Sequence, residues 1–337
     1  MEEALSSQFA RTVSMHPVHS TRSQKWGLFM VGGVGGDCDI NSGRIFVQGS
    51  GTTWGVEFSH PMFAGSAVQC DGNIVVFDGD DRHNRMLRES LVVYVFDMRN
   101  KDGGDFWTPT TVSLSVTDLG EAAGSRLLAG VVSMPVNRLN PMTQSSASVV
   151  VVSGGGYQPY ESPGLIVRRS CFLFDPVRLS VEKIPSMHVR RCCHALVVFD
   201  GNVVAIGGVC SRVGEMAHGA ERYDPIEKKW SIFPAPPGRT DINVYATVTG
   251  TPGHEAIYMT ADGMLYMFNA YEWITIEISP PAPRHINYLF QIDDEIMAVC
   301  AREGKIYTLD LIALEWRCVA VEVDDCMSYA VFAHMLL

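Results

Sequence analysis

The sequence predicts an all-β protein assembled from six copies of a four-stranded unit. Three observations support this fold class: apolar runs that end in a glycine pair, aromatic residues followed by Asp or Asn, and tryptophans that come soon after them. Repetition at a period of about 20–50 residues is the signature of a modular architecture. We therefore expect the repeat to determine the fold of the whole chain.

The clearest copy of the unit runs from Arg191 to Trp230. An apolar strand meets a tight turn, a second apolar strand ends in two glycines, and a third strand ends in an aromatic residue before Asp-Pro. Turns rich in Gly, Asp and Asn between short apolar runs are typical of antiparallel strands. In chain order these parts are residues 195–199, residues 200–202, Gly207-Gly208 and Tyr223-Asp224-Pro225.

The tryptophans set the spacing of the six units. Each stands just before or within a predicted fourth strand, and Val181 takes this place in the third unit. The tryptophans are Trp54, Trp107, Trp230, Trp273 and Trp316. The successive gaps between these six positions are 53, 74, 49, 43 and 43 residues, so the longest gap indicates an insertion.

The third strands share an ending. An Asp or Asn there can bond to the backbone two residues on and start the turn into the fourth strand. These endings are Phe96-Asp97, Phe174-Asp175, Tyr223-Asp224, Phe268-Asn269 and Leu309-Asp310. The second strands end in Gly32-Gly33, Gly154-Gly155 and Gly207-Gly208 in three units and in Asp78-Gly79 in the second unit.

The unit resembles one blade of a kelch β-propeller, and the resemblance covers roughly residues 26–337. It implies a six-bladed kelch-type β-propeller that forms one domain over residues 26–337. A polar extension at residues 1–25 precedes this domain.

The last segment of the chain is expected to close the ring. Residues 327–337 resemble the opening strand of a blade, and the first blade lacks such a strand of its own. We expect this segment to join blade one beside residues 28–33 and 44–48, because that closure covers two sheet edges at once. The alternative is that residues 9–14 supply the missing strand.

Composition limits the classes of partner and the cellular compartment that we expect for this protein. The net charge of -11 argues against nucleic acid, since phosphate binding needs an excess of Lys and Arg. No apolar run approaches the length of a membrane span. Nine cysteines without a disulfide-type spacing predict a reducing, cytoplasmic location. An organelle-targeting role for residues 1–25 remains open.

A set of arginines in the predicted loops is the strongest functional signal. In a kelch ring the loops between strands two and three share one face with the connections between blades, so these arginines should converge there. The candidate binding residues are Arg82, Arg85, Arg88, Arg168, Arg169, Arg190, Arg212, Arg239 and Arg284. Arginine suits fork-like recognition of carboxylate and phosphate, and the resemblance implies binding of an acidic or phosphorylated peptide.

Two other interpretations of the arginines stay open. Each arginine could pair with a local carboxylate such as Asp80, Glu89 or Glu215. Arg190 or Arg191 also matches an arginine that is often structural in the kelch pattern.

Neither a metal site nor a cofactor is expected. His188, Cys192, Cys193, His194, Cys210 and His218 lie close in sequence but lack the paired spacing of a zinc module. Cys192 and Cys193 are placed in a strand, where neighbouring side chains point to opposite faces. The stretch from Cys70 to Asp80 resembles the kelch-type copper enzymes galactose oxidase and glyoxal oxidase only faintly.

The preferred function is a non-catalytic scaffold or a subunit of a multiprotein complex that binds a protein partner on the arginine-bearing face. The alternative is a kelch-fold enzyme such as a sugar mutarotase, an isomerase or a lyase, with a copper radical oxidase less favoured. We call the arginine-bearing face the rim. A rim arginine beside a buried carboxylate or beside a histidine of perturbed pKa would favour an enzyme.

Overall fold

The computed structural model describes the backbone of about two thirds of the chain. The described residues are 26–31, 34–35, 38–39, 42–47, 53–57, 64–79, 90–99, 106–107, 109–115, 126, 128–139, 147–157, 165–210, 219–240, 244–251, 253–278, 283, 286–292, 295–300, 303–321 and 331–336. Strands dominate this part of the chain, and none of its helices has the length and hydropathy of a membrane span.

Among the described residues, one sheet has five strands and five sheets have four strands each. We number these sheets as blades 1 to 6, with strands labelled in chain order. Blade 1 contains β29 (Val331–Leu336), β1 (Trp26–Val31), β4 (Ser42–Val47), β5 (Thr53–Glu57) and β9 (Phe106–Trp107). Blade 2 contains β6 (Ser66–Cys70), β7 (Asn73–Phe77), β8 (Leu91–Asp97) and β10 (Thr110–Leu114).

Blades 3 to 6 follow the same order. Blade 3 contains β11 (Gly130–Pro135), β12 (Ser148–Ser153), β15 (Cys171–Asp175) and β16 (Ser180–Ile184). Blade 4 contains β17 (Ala195–Phe199), β18 (Asn202–Ile206), β19 (Ala220–Asp224) and β20 (Lys229–Phe233). Blade 5 contains β21 (Tyr245–Thr249), β22 (Ala256–Ala261), β23 (Met264–Phe268) and β24 (Trp273–Ile276). Blade 6 contains β25 (Tyr288–Ile292), β26 (Glu295–Cys300), β27 (Lys305–Asp310) and β28 (Glu315–Val321).

Short elements decorate the loops of blades 1 and 3. Two small hairpins lie between the second and third strands of these blades, and one helix follows the first strand of blade 3. They are β2 (Val34–Gly35) with β3 (Cys38–Asp39), β13 (Gly156–Tyr157) with β14 (Ile166–Val167), and α1 (Val136–Leu139).

The propeller arrangement is confirmed by the contacts between first strands. β29 lies against β6, β6 against β11, β11 against β17, β17 against β21, and β21 against β25. First strands therefore follow one another around the inside of the ring, and later strands of each blade lie progressively further out.

The predicted ring closure is also confirmed. β29 pairs with β1 in antiparallel register from Trp26 opposite Leu336 to Val31 opposite Val331. This segment occupies the first-strand position of blade 1, and Ala333 within it is fully buried. The alternative strand at residues 9–14 lies outside the described residues.

Packing between neighbouring blades builds the core. The inner strands are apolar without alternation, as at β7 and β12, because both faces of a blade meet another blade. One core cluster joins blades 2 and 3, where the rings of Phe77 and Phe174 meet edge to face at 5.8 Å. Further clusters join blades 3 and 4, blades 4 and 5, and blades 5 and 6.

The turns between third and fourth strands form as the sequence predicts. Oδ1 of Asp224 accepts hydrogen bonds from the backbone of Ile226 at 2.8 Å and of Glu227 at 3.0 Å. Asp175, Asn269 and Asp310 make the same pair of bonds. These side chains replace the missing strand pairing at the turn and stop each third strand at a fixed residue.

Trp107 departs from the expected pattern. It belongs to β9, which pairs in parallel with β5 and so extends the outer edge of blade 1. The fourth strand of blade 2 begins three residues later, at Thr110. Trp107 thus stands just before its predicted strand, but it joins the neighbouring sheet.

Trp230 gives the first testable prediction. It is 2% exposed, packs in the cluster between blades 3 and 4, and donates from Nε1 to the carbonyl of Pro185 at 2.8 Å. We expect Trp230→Ala to lower the free energy of unfolding by about 3–5 kcal/mol, as for other large-to-small core changes. Urea denaturation measures this loss, and a value under about 1 kcal/mol would contradict the assigned packing.

Candidate functional site

Successive blades are joined by a chain of backbone hydrogen bonds where each blade opens. The amide of Leu128 donates to Ala64, that of Cys193 to Leu128, and that of Val244 to Cys193, at 2.8, 2.9 and 3.1 Å. Ala64, Leu128 and Cys193 each lie two residues before a first strand and have φ values of 51, 50 and 56°. Blades 2, 3 and 4 therefore share a residue in the left-handed conformation two positions before the first strand, whatever the residue type.

Arg191 holds together the inner end of blade 4. Its side chain is 1% exposed, and Nη1 donates to the carbonyls of Gly207 at 2.8 Å and Gly219 at 3.1 Å. Glu221 lies against the same guanidinium at 3.3 Å and is also buried. Burial lowers the pKa of Arg191, and Glu221 opposes this shift. Arg191 therefore joins the end of β18 to the start of β19, and we call this arrangement the Arg191 clamp.

The Glu221 carboxylate makes several hydrogen bonds in addition to its contact with Arg191. Its carboxylate also accepts the backbone amides of His188 at 2.7 Å and Val189 at 3.0 Å, and it lies 2.8 Å from Nδ1 of His188. One carboxylate thus fixes both the clamp arginine and the connection between blades 3 and 4.

Arg126 is the counterpart of Arg191 in blade 3. It is fully buried, and Nη1 donates to the carbonyls of Gly154 and Ser170, which correspond to Gly207 and Gly219 of blade 4. Phe172 stands where blade 4 has Glu221, and the Arg126 guanidinium lies 5.0 Å from the centre of its ring. Burial, together with repulsion from Arg168, lowers the pKa of Arg126 to about 9. A cation–π contact has therefore replaced an ion pair at this clamp.

The glycine pairs let blades approach each other closely. Gly207 and Gly208 have φ values of 62 and 96°, which only glycine adopts readily. The Gly208 amide donates to the carbonyl of Thr240 at 2.8 Å at the start of blade 5. Gly155 donates in the same way to Arg191 at 2.8 Å. These bonds fix the backbone from which the rim arginines project.

His194 is buried among these glycines. One ring nitrogen, Nε2, lies 2.8 Å from Oγ of Ser153, and a Cβ at Gly130 would collide with the ring. Burial, followed by repulsion from Arg191, lowers the pKa of His194 to about 3. The ring is therefore neutral and serves as a spacer between blades 3 and 4.

The His194 pKa gives a prediction for pH dependence. His194 binds a proton near pH 6.5 in the unfolded chain and only near pH 3 in the folded chain. Its contribution to the free energy of unfolding is therefore constant well above pH 6.5 and falls as the pH drops below that value. The contribution lost by pH 5 is about 2 kcal/mol. We expect His194→Gln to remove this part of the acid sensitivity, measured as the difference in urea stability between pH 7.5 and pH 5. An equal loss in both proteins would contradict the prediction.

Four of the nine predicted rim arginines lie within the described residues. Arg169, Arg190 and Arg239 are exposed, and Arg168 is half-buried. Arg82, Arg85, Arg88, Arg212 and Arg284 lie outside the described residues. Arg190 and Arg191 were alternatives for a structural arginine, and the buried Arg191 takes that role.

The described rim arginines come from neighbouring connections on one face. Arg190 donates from Nη1 to the carbonyl of Val167 at 3.3 Å, and the Arg191 amide donates to the carbonyl of Arg168 at 3.1 Å. Arg168 in turn donates its amide to Gly155 at 2.8 Å. The loop before β15 and the connection before β17 are thus held side by side. Arg239 stands one residue before Thr240, at the corresponding point of blade 5.

The expectation that Cys192 and Cys193 lie in a strand and point to opposite faces is wrong. Cys192 makes only an isolated bridge with Val209, and Cys193 has a φ of 56°, so the two residues do not alternate as in a strand. Their sulfur atoms lie 4.0 Å apart on the same side. Among the described residues, no three His, Cys, Asp or Glu side chains are grouped to hold a metal ion.

Sequence reasoning missed Arg126. The available signal was its position four residues before β11, which matches the spacing of Arg191 to β17. That signal is visible only once the first strand of blade 3 has been placed.

Comparisons with known proteins agree with this geometry. The kelch motif family matches residues 190–237, which span the Arg191 clamp and all four strands of blade 4. A solved structure described as the structure of YjhT is similar with a TM-score of 0.59 and 12% sequence identity, over 82% of this chain and 88% of that chain. The fold of this chain is that of a kelch-repeat β-propeller.

Proposed function

We propose that this propeller is a non-catalytic binding module whose rim takes an acidic or phosphorylated segment of a protein partner. The observation that supports this proposal best is the exposure of Arg169, Arg190 and Arg239, which stand in the connections that lead into β15, β17 and β21. Arginine forks bind carboxylate and phosphate through paired charge-assisted hydrogen bonds.

The rigidity of the rim favours binding over chance exposure. Backbone hydrogen bonds hold the residues next to these arginines: Arg168 and Arg191 bond to Gly155, and Thr240 bonds to Gly208. Little ordering would therefore be needed when a partner docks. The chain has a net charge of -11, so exposed arginines on it would steer an acidic partner toward themselves.

The enzyme alternative predicts a buried carboxylate beside an arginine and a histidine of perturbed pKa, and Arg191, Glu221 and His194 meet that description. All three are at most 6% exposed. Arg191 bonds to backbone carbonyls, Glu221 accepts backbone amides, and Nε2 of His194 lies against Ser153, while Nδ1 of His194 is buried without a hydrogen-bond partner. Most contacts of these three side chains are with the protein's own backbone and side chains, which favours the binding module.

A charge-matched pair of variants tests the proposal. The rim variant replaces Arg169, Arg190 and Arg239 by Ala. The control replaces three exposed arginines at the other ends of the third strands. Arg99 and Arg178 lie in turns between third and fourth strands, and Arg317 of β28 pairs with Asp310 at such a turn. Both variants lose the same charge. The probes are fluorescent peptides of ten glutamates and their phosphoserine counterparts, measured by anisotropy.

We expect the rim variant to lose most of its affinity, because removing one arginine of a desolvated pair costs about 2–5 kcal/mol. The control should bind like the wild type, binding should weaken as salt rises, and both melting temperatures should change little. Equal binding by the rim variant and the control would refute the proposal.

A further inference from the structure

We propose that Cys192 and Cys193 form a reversible oxidation site, at which hydrogen peroxide converts the two adjacent thiols to a disulfide. The two cysteines follow Arg190 and Arg191 directly in the chain, but the test of this site does not depend on partner binding.

The fold places the two sulfur atoms together. Cys193 occupies the left-handed position at which each of these blades opens, and Ala64 and Leu128 show that the same backbone forms without a thiol. In this conformation Sγ of Cys193 lies 4.0 Å from Sγ of Cys192, in place of the opposite directions that a strand would give. The proximity is therefore built into the backbone.

The surrounding contacts hold the pair in place, and Cys193 is the more exposed of the two residues. Cys192 exchanges both backbone hydrogen bonds with Val209, and Cys193 is bonded on one side to Leu128 and on the other to Val244. Cys192 is buried, whereas Cys193 is half-buried. A small oxidant can therefore approach from the Cys193 side.

The Cys193 thiol points its hydrogen bond at the Cys192 sulfur. This bond lowers the pKa of Cys192 and raises that of Cys193. The Cys192 sulfur is itself buried and lies 3.6 Å from the carbonyl of Val209, so the Cys193 thiol beside it is both the side of access and the resolving partner.

The reaction balances in two steps. The Cys192 thiolate attacks one peroxide oxygen, the O–O bond breaks, and the hydroxide released takes up the proton that Cys192 had lost and becomes water. The Cys193 sulfur then attacks the sulfenic sulfur of Cys192, the S–O bond breaks, and the departing hydroxide takes the Cys193 proton as a second water. Two thiols are oxidised to one disulfide, and one peroxide is reduced to two waters.

The product should be easily reduced. Consecutive Cα atoms are about 3.8 Å apart, whereas disulfides join Cα atoms about 4.4–6.8 Å apart. A disulfide between neighbours is therefore strained, and strained disulfides are the labile and regulatory ones.

The test uses the full chain carrying Cys210→Ser. Trypsin then releases residues 192–212 with Cys192 and Cys193 as their only cysteines. After brief exposure to hydrogen peroxide and alkylation with iodoacetamide, mass spectrometry should find this peptide short of two hydrogens and without alkyl groups. Dithiothreitol should restore two alkylation sites. Oxidation of the pair should be roughly tenfold faster than loss of alkylation at the exposed Cys318.

Cys193→Ala is the matched control, because Ala64 shows that alanine is accommodated at this backbone position. It should keep the wild-type circular dichroism and lose the mass change. The proposal is overturned if the pair stays alkylated while Cys318 is oxidised. It is also overturned if the peptide gains oxygen without losing two hydrogens, or if its disulfides form only between molecules.

Discussion

A chain that ends at residue 326 should fail to give soluble, folded protein. Removing residues 327–337 takes away β29, which is the first strand of blade 1 and lies against β6 of blade 2. The loss exposes the hydrogen-bonding edge of β1 over six residue pairs and uncovers the buried face around Ala333. Open edges of apolar strands are templates for aggregation. We expect the truncated chain in the insoluble fraction, without a cooperative melting transition.

A rearranged chain provides the control for this truncation. Because Leu336 pairs with Trp26 at one end of the β29–β1 ladder, a short turn can join residue 337 directly to residue 26. Such a chain would start at residue 327, cross the new turn and end at residue 326. It keeps β29 and should be soluble, with cooperative melting. A soluble truncated chain with the melting temperature of the full chain would show that β29 does not close the ring.

Local patterns predicted the blades well wherever they repeat in sequence. The strand expected at residues 195–199 is β17, and the Asx turn expected after Tyr223 forms through Asp224. Both depend on contacts within a few residues, so the sequence carries them directly. The closing strand was also predicted, because an unpaired apolar segment at the end of a repeat array has a single vacant position to fill.

Features that depend on distant or unusual backbone contacts were not predictable. The parallel pairing of Trp107 with Val56 of blade 1 joins residues from different blades and leaves no pattern. The left-handed conformation of Cys193 belongs to a residue type that rarely adopts it, so alternation along a strand was the natural but wrong expectation. At the rim, sequence identified arginines but could not separate the exposed Arg190 from the buried Arg191.

Glu221→Ala should cause a large loss of stability. It leaves the guanidinium of Arg191 buried without its carboxylate, which costs about 3–5 kcal/mol for a broken buried pair. It also removes the acceptor of the His188 and Val189 amides, at about 1 kcal/mol each. We therefore expect a loss of about 5 kcal/mol or more in urea denaturation, which is comparable to the whole stability of many domains.

Two further variants separate the cause of this loss. Glu221→Gln keeps an oxygen acceptor but removes the charge, so it should be less damaging than Glu221→Ala. Glu182→Ala removes a carboxylate that faces Lys228 with both side chains 66% exposed, and it should cost less than about 1 kcal/mol. If Glu221→Ala were as mild as Glu182→Ala, Glu221 would not stabilise the clamp. The enzyme alternative, in which Arg191 and Glu221 act on a ligand, would then regain its strongest support.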